Sequence, residues 1–128
     1  MAVPLLLHLT FQLSYLHWNT FTMPVTEVAL LHLKCKDPSA LTKEGLKQAM
    51  EKQSRFSKHP VNILFQIQDP RYFYLIGGWE SITVHCNEWI PSDTNQTILR
   101  MIKDEVDIEW VFHIDTDVRS LLICLTQF

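Results

Sequence analysis

From residue 25 onward the chain alternates between short apolar runs and polar breaks, and the period of each run identifies an element. Val25 to Lys34 (VTEVALLHLK) is rich in Val and Leu and predicts a first strand, broken by Asp37-Pro38-Ser39. Leu46, Ala49, Met50 and Phe56 then form a stripe at helical spacing that starts near Thr42. Lys47, Glu51 and Arg55 take its solvated side, and His59-Pro60 ends it. Val61 to Gln68 predicts a second strand and Tyr72 to Ile76 a third, joined as a hairpin by the tight turn Asp69-Pro70-Arg71. The third strand breaks at Gly77-Gly78 and feeds through Trp79-Glu80-Ser81 into a short helix stopped by Pro91. With Ser81 as its cap, Ile82, His85, Cys86 and Trp89 fall at i, i+3, i+4 and i+7 on one face. Ser92 or Asp93 caps a further helix with Ile98, Leu99, Ile102 and Val106 inward. Ile108 to Asp115 alternates as a fourth strand, with Ile108, Trp110, Phe112 and Ile114 on one face, and Arg119 to Phe128 is apolar enough for a fifth strand or a packing arm.

The order β-α-β-β-α-α-β reads as an α+β layer, an antiparallel sheet with helices on one face. Such a sheet is ordinarily polar on its free face. Here Val28 and Leu30 back Ala29, Leu31 and Leu33, while Tyr72, Tyr74 and Ile76 back Phe73 and Leu75. Both faces need cover, and the few helices can cover only one. A second copy of the chain can cover the other, so a homodimer is expected.

Composition narrows the function. The chain has 128 residues with 47% hydrophobic content, enough for one domain with a core. A net charge of -3 with scattered Lys and Arg leaves no basic stripe, which argues against nucleic acid and anionic membrane as partners. Three glycines cannot build a phosphate-cradling loop of the Walker or dinucleotide type. Cys35, Cys86 and Cys124 form no CxxC pair, so they read as buried free thiols of a reducing, cytoplasmic protein. The first 26 residues carry no Lys, Arg, Asp or Glu. They are too polar for a membrane span and lack the basic start and cleavage site of a signal peptide. Residues 1–23 therefore read as an uncharged extension, with Met23 an alternative natural start because MPVTEVALLHLK opens a strand directly. Asn95-Gln96-Thr97 is a glycosylation sequon that matters only in a secreted chain.

The opening VTEVALLHLK, the strand YFYLIGGW, the WES entry to a helix and the closing WVFHID together resemble the dimeric α/β barrel superfamily, in particular the antibiotic biosynthesis monooxygenase (ABM-type) domain. The resemblance covers about residues 24 to 116, and it implies an ABM-like domain over 24–118 followed by a C-terminal strand or arm over 119–128. It implies two ferredoxin-like subunits pairing their sheets as a dimeric α/β barrel, each binding an aromatic or polyketide-like small molecule between sheet and helices. The activities it implies are cofactor-independent monooxygenase or polyketide cyclase/isomerase. A dimeric ligand-binding or accessory protein without turnover is the alternative, because fold does not dictate reaction.

Among candidate chemical groups, His85 leads, because a near-neutral imidazole on the Ile82/Trp89 face can exchange a proton with a pocketed substrate. A core histidine bonded to a neighbour would look the same in sequence. His113 shares its alternation with Glu109, Val111 and Asp115, and it is the second catalytic candidate. His32, beside Leu30 and Val28, can also face an interior, whereas His59 before Pro60 suits a helix end. Phe65, Tyr72, Tyr74 and Trp89, with Trp110, can wall a cavity for an aromatic ligand, and Trp79 either contacts that ligand or plugs the strand-to-helix corner. No HxH, HxxxH or 2-His-carboxylate spacing lies on one element, so neither a metal site nor an organic cofactor is expected.

Overall fold

A computed structural model describes residues 23–121. The elements are β1 (Val25–Leu33), α1 (Ala40–Ser57), β2 (Val61–Phe65), β3 (Tyr72–Trp79), a π-helix (Val84–Trp89), α2 (Asp93–Ile102) and β4 (Val106–Ile114). The strands form one sheet in the order β2-β3-β1-β4, with every neighbouring pair antiparallel. This is the α+β layer that the pattern predicts, in the ferredoxin-like form that the resemblance implies. The uncharged extension falls outside the described residues, except for its last residue, Met23.

Each helix starts where a short polar side chain stands in for the missing backbone partners. Ser39 caps α1 by accepting from the Thr42 N–H, and Ser92 caps α2 by accepting from the Asn95 N–H at 3.1 Å. Lys58 closes α1 in the left-handed conformation (φ 61°). Buried Thr42, Gly45, Gln53 and Ser57, with partly buried Leu46 and Ala49, form the inner side of α1. Phe56 does not sit in that core. It is exposed at the helix end, where its ring meets Trp89 at 5.2 Å.

The helix-side core joins Ala29, Leu31 and Leu33 of β1 to Phe73 and Leu75 of β3, Ile102 of α2 and Val106 of β4. A second cluster at the other end holds Val25, Trp79, Trp89 and Ile98. Leu31, Leu33, Phe73, Leu75, Ile102 and Val106 of the first cluster would each contribute roughly 1.5–3 kcal/mol by removal from water.

Besides the short helix after Ser81, four elements differ from the sequence pattern. β2 stops at Phe65, and Ile67 beyond it is exposed. β3 does not break at Gly77-Gly78 but runs on to Trp79, pairing Gly77 with Glu27 and Gly78 with Thr26. The glycines serve close approach: a Cβ on Gly77 would lie 2.6 Å from Gln53 Nε2, and one on Gly78 would lie 2.5 Å from Val118 Cγ1. In β4, Trp110 pairs with Leu30 and Ile108 with Leu31, which leaves Glu109 as an extra bulged residue. The bulge moves Ile108 to the helix side with Val111 and His113, while Trp110, Phe112 and Ile114 remain on the opposite face. Finally, residues 118–121 open as a helical turn rather than a strand, with the Asp117 carboxylate accepting from the Arg119 N–H at 2.8 Å. Val118 and Leu121 pack there on Val28 and Ile76, and residues 122–128 lie outside the described residues.

Candidate active site

Between the sheet and the helices lies a cavity of about 360 Å³, lined largely by aliphatic side chains such as Ala29, Leu31, Leu75, Ile98 and Val111. Its polar groups gather at one end: Glu27, Gln53, His85, Cys86, Asn95 and His113. A mostly apolar cavity with a few convergent polar groups is the usual form of a small-molecule site.

The polar end is assembled across four elements. Glu27 enters from β1 directly opposite Gly77, in space that Gly77 leaves clear for Gln53. Its Oε2 accepts from Gln53 Nε2 and from Trp79 Nε1, both at 2.8 Å. His85 stacks on Trp79, with ring centroids 4.4 Å apart and planes 15° from parallel, and its Nε2 lies 3.6 Å from the same Glu27 oxygen. On the other side of the ring, His85 Nδ1 shares a hydrogen bond with His113 Nε2 at 2.7 Å. These groups form a chain from a buried carboxylate through a buried imidazole to a half-buried one. A carboxylate behind Nε2 favours the tautomer carrying its proton there, which leaves the Nδ1 lone pair toward His113.

Burial sets the electrostatics. Desolvation, followed by the nearby His113, lowers the pKa of His85 from 6.5 to about 4, and desolvation also lowers that of His113. Both rings are therefore neutral at neutral pH. Desolvation raises the pKa of Glu27, and the hydrogen bonds from Trp79 and Gln53 oppose that rise.

Ser81 accepts from the Val84 N–H at 3.2 Å, as its expected capping role requires, but the helix it caps is a π-helix, closed by the Ile90 N–H donating to the His85 carbonyl. The wider turn changes the shared face. His85 and Trp89 are buried, whereas Ile82 and Cys86 are exposed. Cys86 lies at the cavity lining and Cys35 is half-buried, so neither is the buried thiol expected; Cys124 lies outside the described residues. The Asn95 side chain donates to the Ile90 carbonyl at 3.0 Å and lines the cavity.

The sequence candidates thus separate. His85, His113 and Trp89 line the cavity. Trp79 is fully buried beneath His85, where it positions the ring and Glu27 and does not form part of the cavity wall. Tyr72 and Tyr74 lie on the opposite sheet face, and Phe65 stands exposed at the sheet end against Phe73, so none of the three lines the cavity. The reason is register: alternation puts Tyr72 and Tyr74 with Leu30 and His32, away from the helices. His32 accordingly stacks on Tyr72 at 4.3 Å, outside the cavity. Sequence reasoning missed Glu27 and Gln53. The available signal was an acid at an inward position of an otherwise apolar strand.

No family model matches the chain, and no curated protein matches it. Solved structures do share its fold. A Bordetella bronchiseptica protein provisionally named an antibiotic biosynthesis monooxygenase superposes with a TM-score of 0.61 at 19% identity, over 71% of this chain and 94% of that one. A mutant of SnoaB, a cofactor-independent oxygenase from Streptomyces nogalater, gives a TM-score of 0.60 at 10% identity, over 72% and 91%. A conserved Methanosarcina mazei protein gives 0.60 at 12% identity, over 79% and 99%. The chain therefore has the fold of the antibiotic biosynthesis monooxygenase proteins, as its sequence pieces imply.

Proposed function

We propose that the protein is a cofactor-independent oxygenase acting on a small, electron-rich aromatic or polyketide-like molecule. The observation that carries this reading is the His85–His113 pair at the polar end of an otherwise apolar cavity. A neutral imidazole pair is a base, and deprotonating an activated ring-flanked methylene leaves a carbanion that can itself supply electrons to O₂. The balance is a CH₂ and O₂ giving a ketone and water, so the protein supplies a base and a water-poor cavity. The fold shared with SnoaB supports the same class of chemistry. The same base would serve a cyclase or isomerase, whose turnover consumes no oxygen.

Oxygen uptake with a panel of hydroquinones and anthrones tests the proposal. His85→Ala and His113→Ala are each expected to lower turnover at least ~100-fold. Because His113 is half-buried, its replacement disturbs the fold less than that of His85. Unchanged turnover in a folded His113→Ala protein would overturn the base assignment, and product without oxygen consumption would replace the oxygenase by the cyclase or isomerase. Tight ligand binding with no turnover on any substrate would favour a binding protein.

The homodimer belongs to this reading. On the sheet face away from the helices, Leu64, Trp110 and Phe112 are 40%, 39% and 47% exposed, and Trp110 and Phe112 stack at 4.9 Å. A second copy of this face would cover them. Among the described residues, no helix is long and apolar enough to cross a membrane.

A further inference from the structure

His85, Cys86 and His113 together offer more than a proton. One ring nitrogen from each histidine and the Cys86 Sγ all lie within 4.8 Å of one another. Two imidazoles and a thiolate form a donor set for borderline divalent ions such as Zn²⁺, not for Mg²⁺ or Ca²⁺, which prefer oxygen. We propose that His85 Nδ1, His113 Nε2 and Cys86 Sγ bind a divalent transition-metal ion of the zinc class, with a fourth position open to the cavity.

Three further observations support the site. The Glu27 carboxylate stands 3.6 Å behind His85 Nε2, the ring nitrogen that faces away from His113. Metal-binding histidines direct that second nitrogen to a carboxylate, a backbone carbonyl or water, which fixes the tautomer and strengthens the ligand. Trp79 and Gln53 in turn hold Glu27 in place. His85 and Cys86 are consecutive residues of the π-helix, and both line the cavity. All three residues line the cavity, which leaves a three-ligand ion a fourth position for water.

The present N···N distance of 2.7 Å belongs to a hydrogen bond. Ligands on one tetrahedral ion, with metal–nitrogen bonds of about 2.1 Å, stand roughly 3.4 Å apart. Binding therefore requires the two rings to separate by a fraction of an ångström. The proton between them moves to the other nitrogen of His113, and the Cys86 thiol releases its proton to solvent.

Metal binding at this site is tested apart from the oxygenase reading, and because an ion would occupy His85 Nδ1 and His113 Nε2, the base of the proposed reaction is the metal-free form. The experiment is a Co²⁺ titration of the reduced, untagged full-length chain, followed by absorption. One equivalent is expected to produce thiolate-to-cobalt charge transfer and intense tetrahedral d–d bands, both lost on adding Zn²⁺. Cys86→Ser should remove the charge-transfer band and weaken cobalt at least ~10-fold, with little effect on folding because Cys86 is exposed. His113→Ala should weaken it similarly, and Glu27→Gln by about 10- to 100-fold. No spectral change at millimolar Co²⁺, or an unchanged charge-transfer band in Cys86→Ser, would overturn the site. The spectrum reports binding whether or not any substrate turns over, so the two readings fail separately.

Discussion

Glu27 is the residue on which the candidate site depends. Its single oxygen Oε2 gathers Gln53, Trp79 and His85, and His85 connects it to His113. Buried in place of a solvated carboxylate, it organises a site that no local motif displays. The titration of His85 reflects this setting. Its imidazole should stay neutral until pH falls to about 4, observable in the ring resonances by NMR; titration near the ordinary 6.5 would show the ring to be solvated. Because the unfolded chain binds this proton first, His85 makes stability fall as pH drops from about 6.5 to 4, by about 3 kcal/mol at most. Glu27 acts in the opposite sense, since a raised carboxyl pKa stabilises below its unfolded value and that contribution is lost as pH rises. Glu27→Gln should therefore steepen the loss of stability between pH 6.5 and 4.5, measured by denaturant titration across that range.

The elements place these groups through close contacts that single atoms can block. Gly77 leaves room for Gln53 to reach Glu27, and an added methyl would lie 2.6 Å from the Gln53 amide. Gly77→Ala should displace that amide, leave the buried carboxylate short of a donor and cost about 1–3 kcal/mol. In a double-mutant cycle, Gln53→Ala should add little once Gly77→Ala is present; full additivity would show that the two do not share this contact. The start of α1 is anchored differently. Glu105, just before β4, accepts from Thr42 Oγ1, from the Ser39 hydroxyl at 2.7 Å and from the Ser39 N–H at 3.0 Å. These bonds lower its pKa to about 2. The resulting stabilisation is present above the unfolded value near 4.5 and is lost as pH falls toward 2. Glu105→Gln should flatten the acid limb of the unfolding curve over that range, and an unchanged limb would place the carboxylate outside the cap.

At the scale of the whole molecule, one sheet face is covered by helices and the other carries Leu64, Trp110 and Phe112 in the open. A dimer at micromolar concentration is expected in sedimentation, and Trp110→Glu should convert it to monomer by setting a charge within the apolar face. A wild-type chain that sediments as a monomer would refute the pairing. The cavity lies on the helix side, so dimerisation through the open face leaves His85 and His113 accessible to a ligand.

Periodicity determined the element order, the antiparallel layer and the helical setting of His85, because alternation and 3.6-residue spacing are local consequences of backbone geometry. It also placed Ser81 and Ser92 correctly at helix starts, since capping depends on residues only three apart. Tertiary structure decided what the spacing could not. The Glu109 bulge and the strand pairing set which side each β residue faces, so Val111 and His113 met the cavity while Tyr72 and Tyr74 turned from it. The π-turn reset which neighbours of His85 are buried. Glu27 and His113 lie 58 and 28 residues from His85 in the chain; strand pairing sets Glu27 opposite His113, and packing of the π-helix on Trp79 brings His85 to both. The contacts of His85 with Glu27 and His113 are long-range and absent from any single run of sequence.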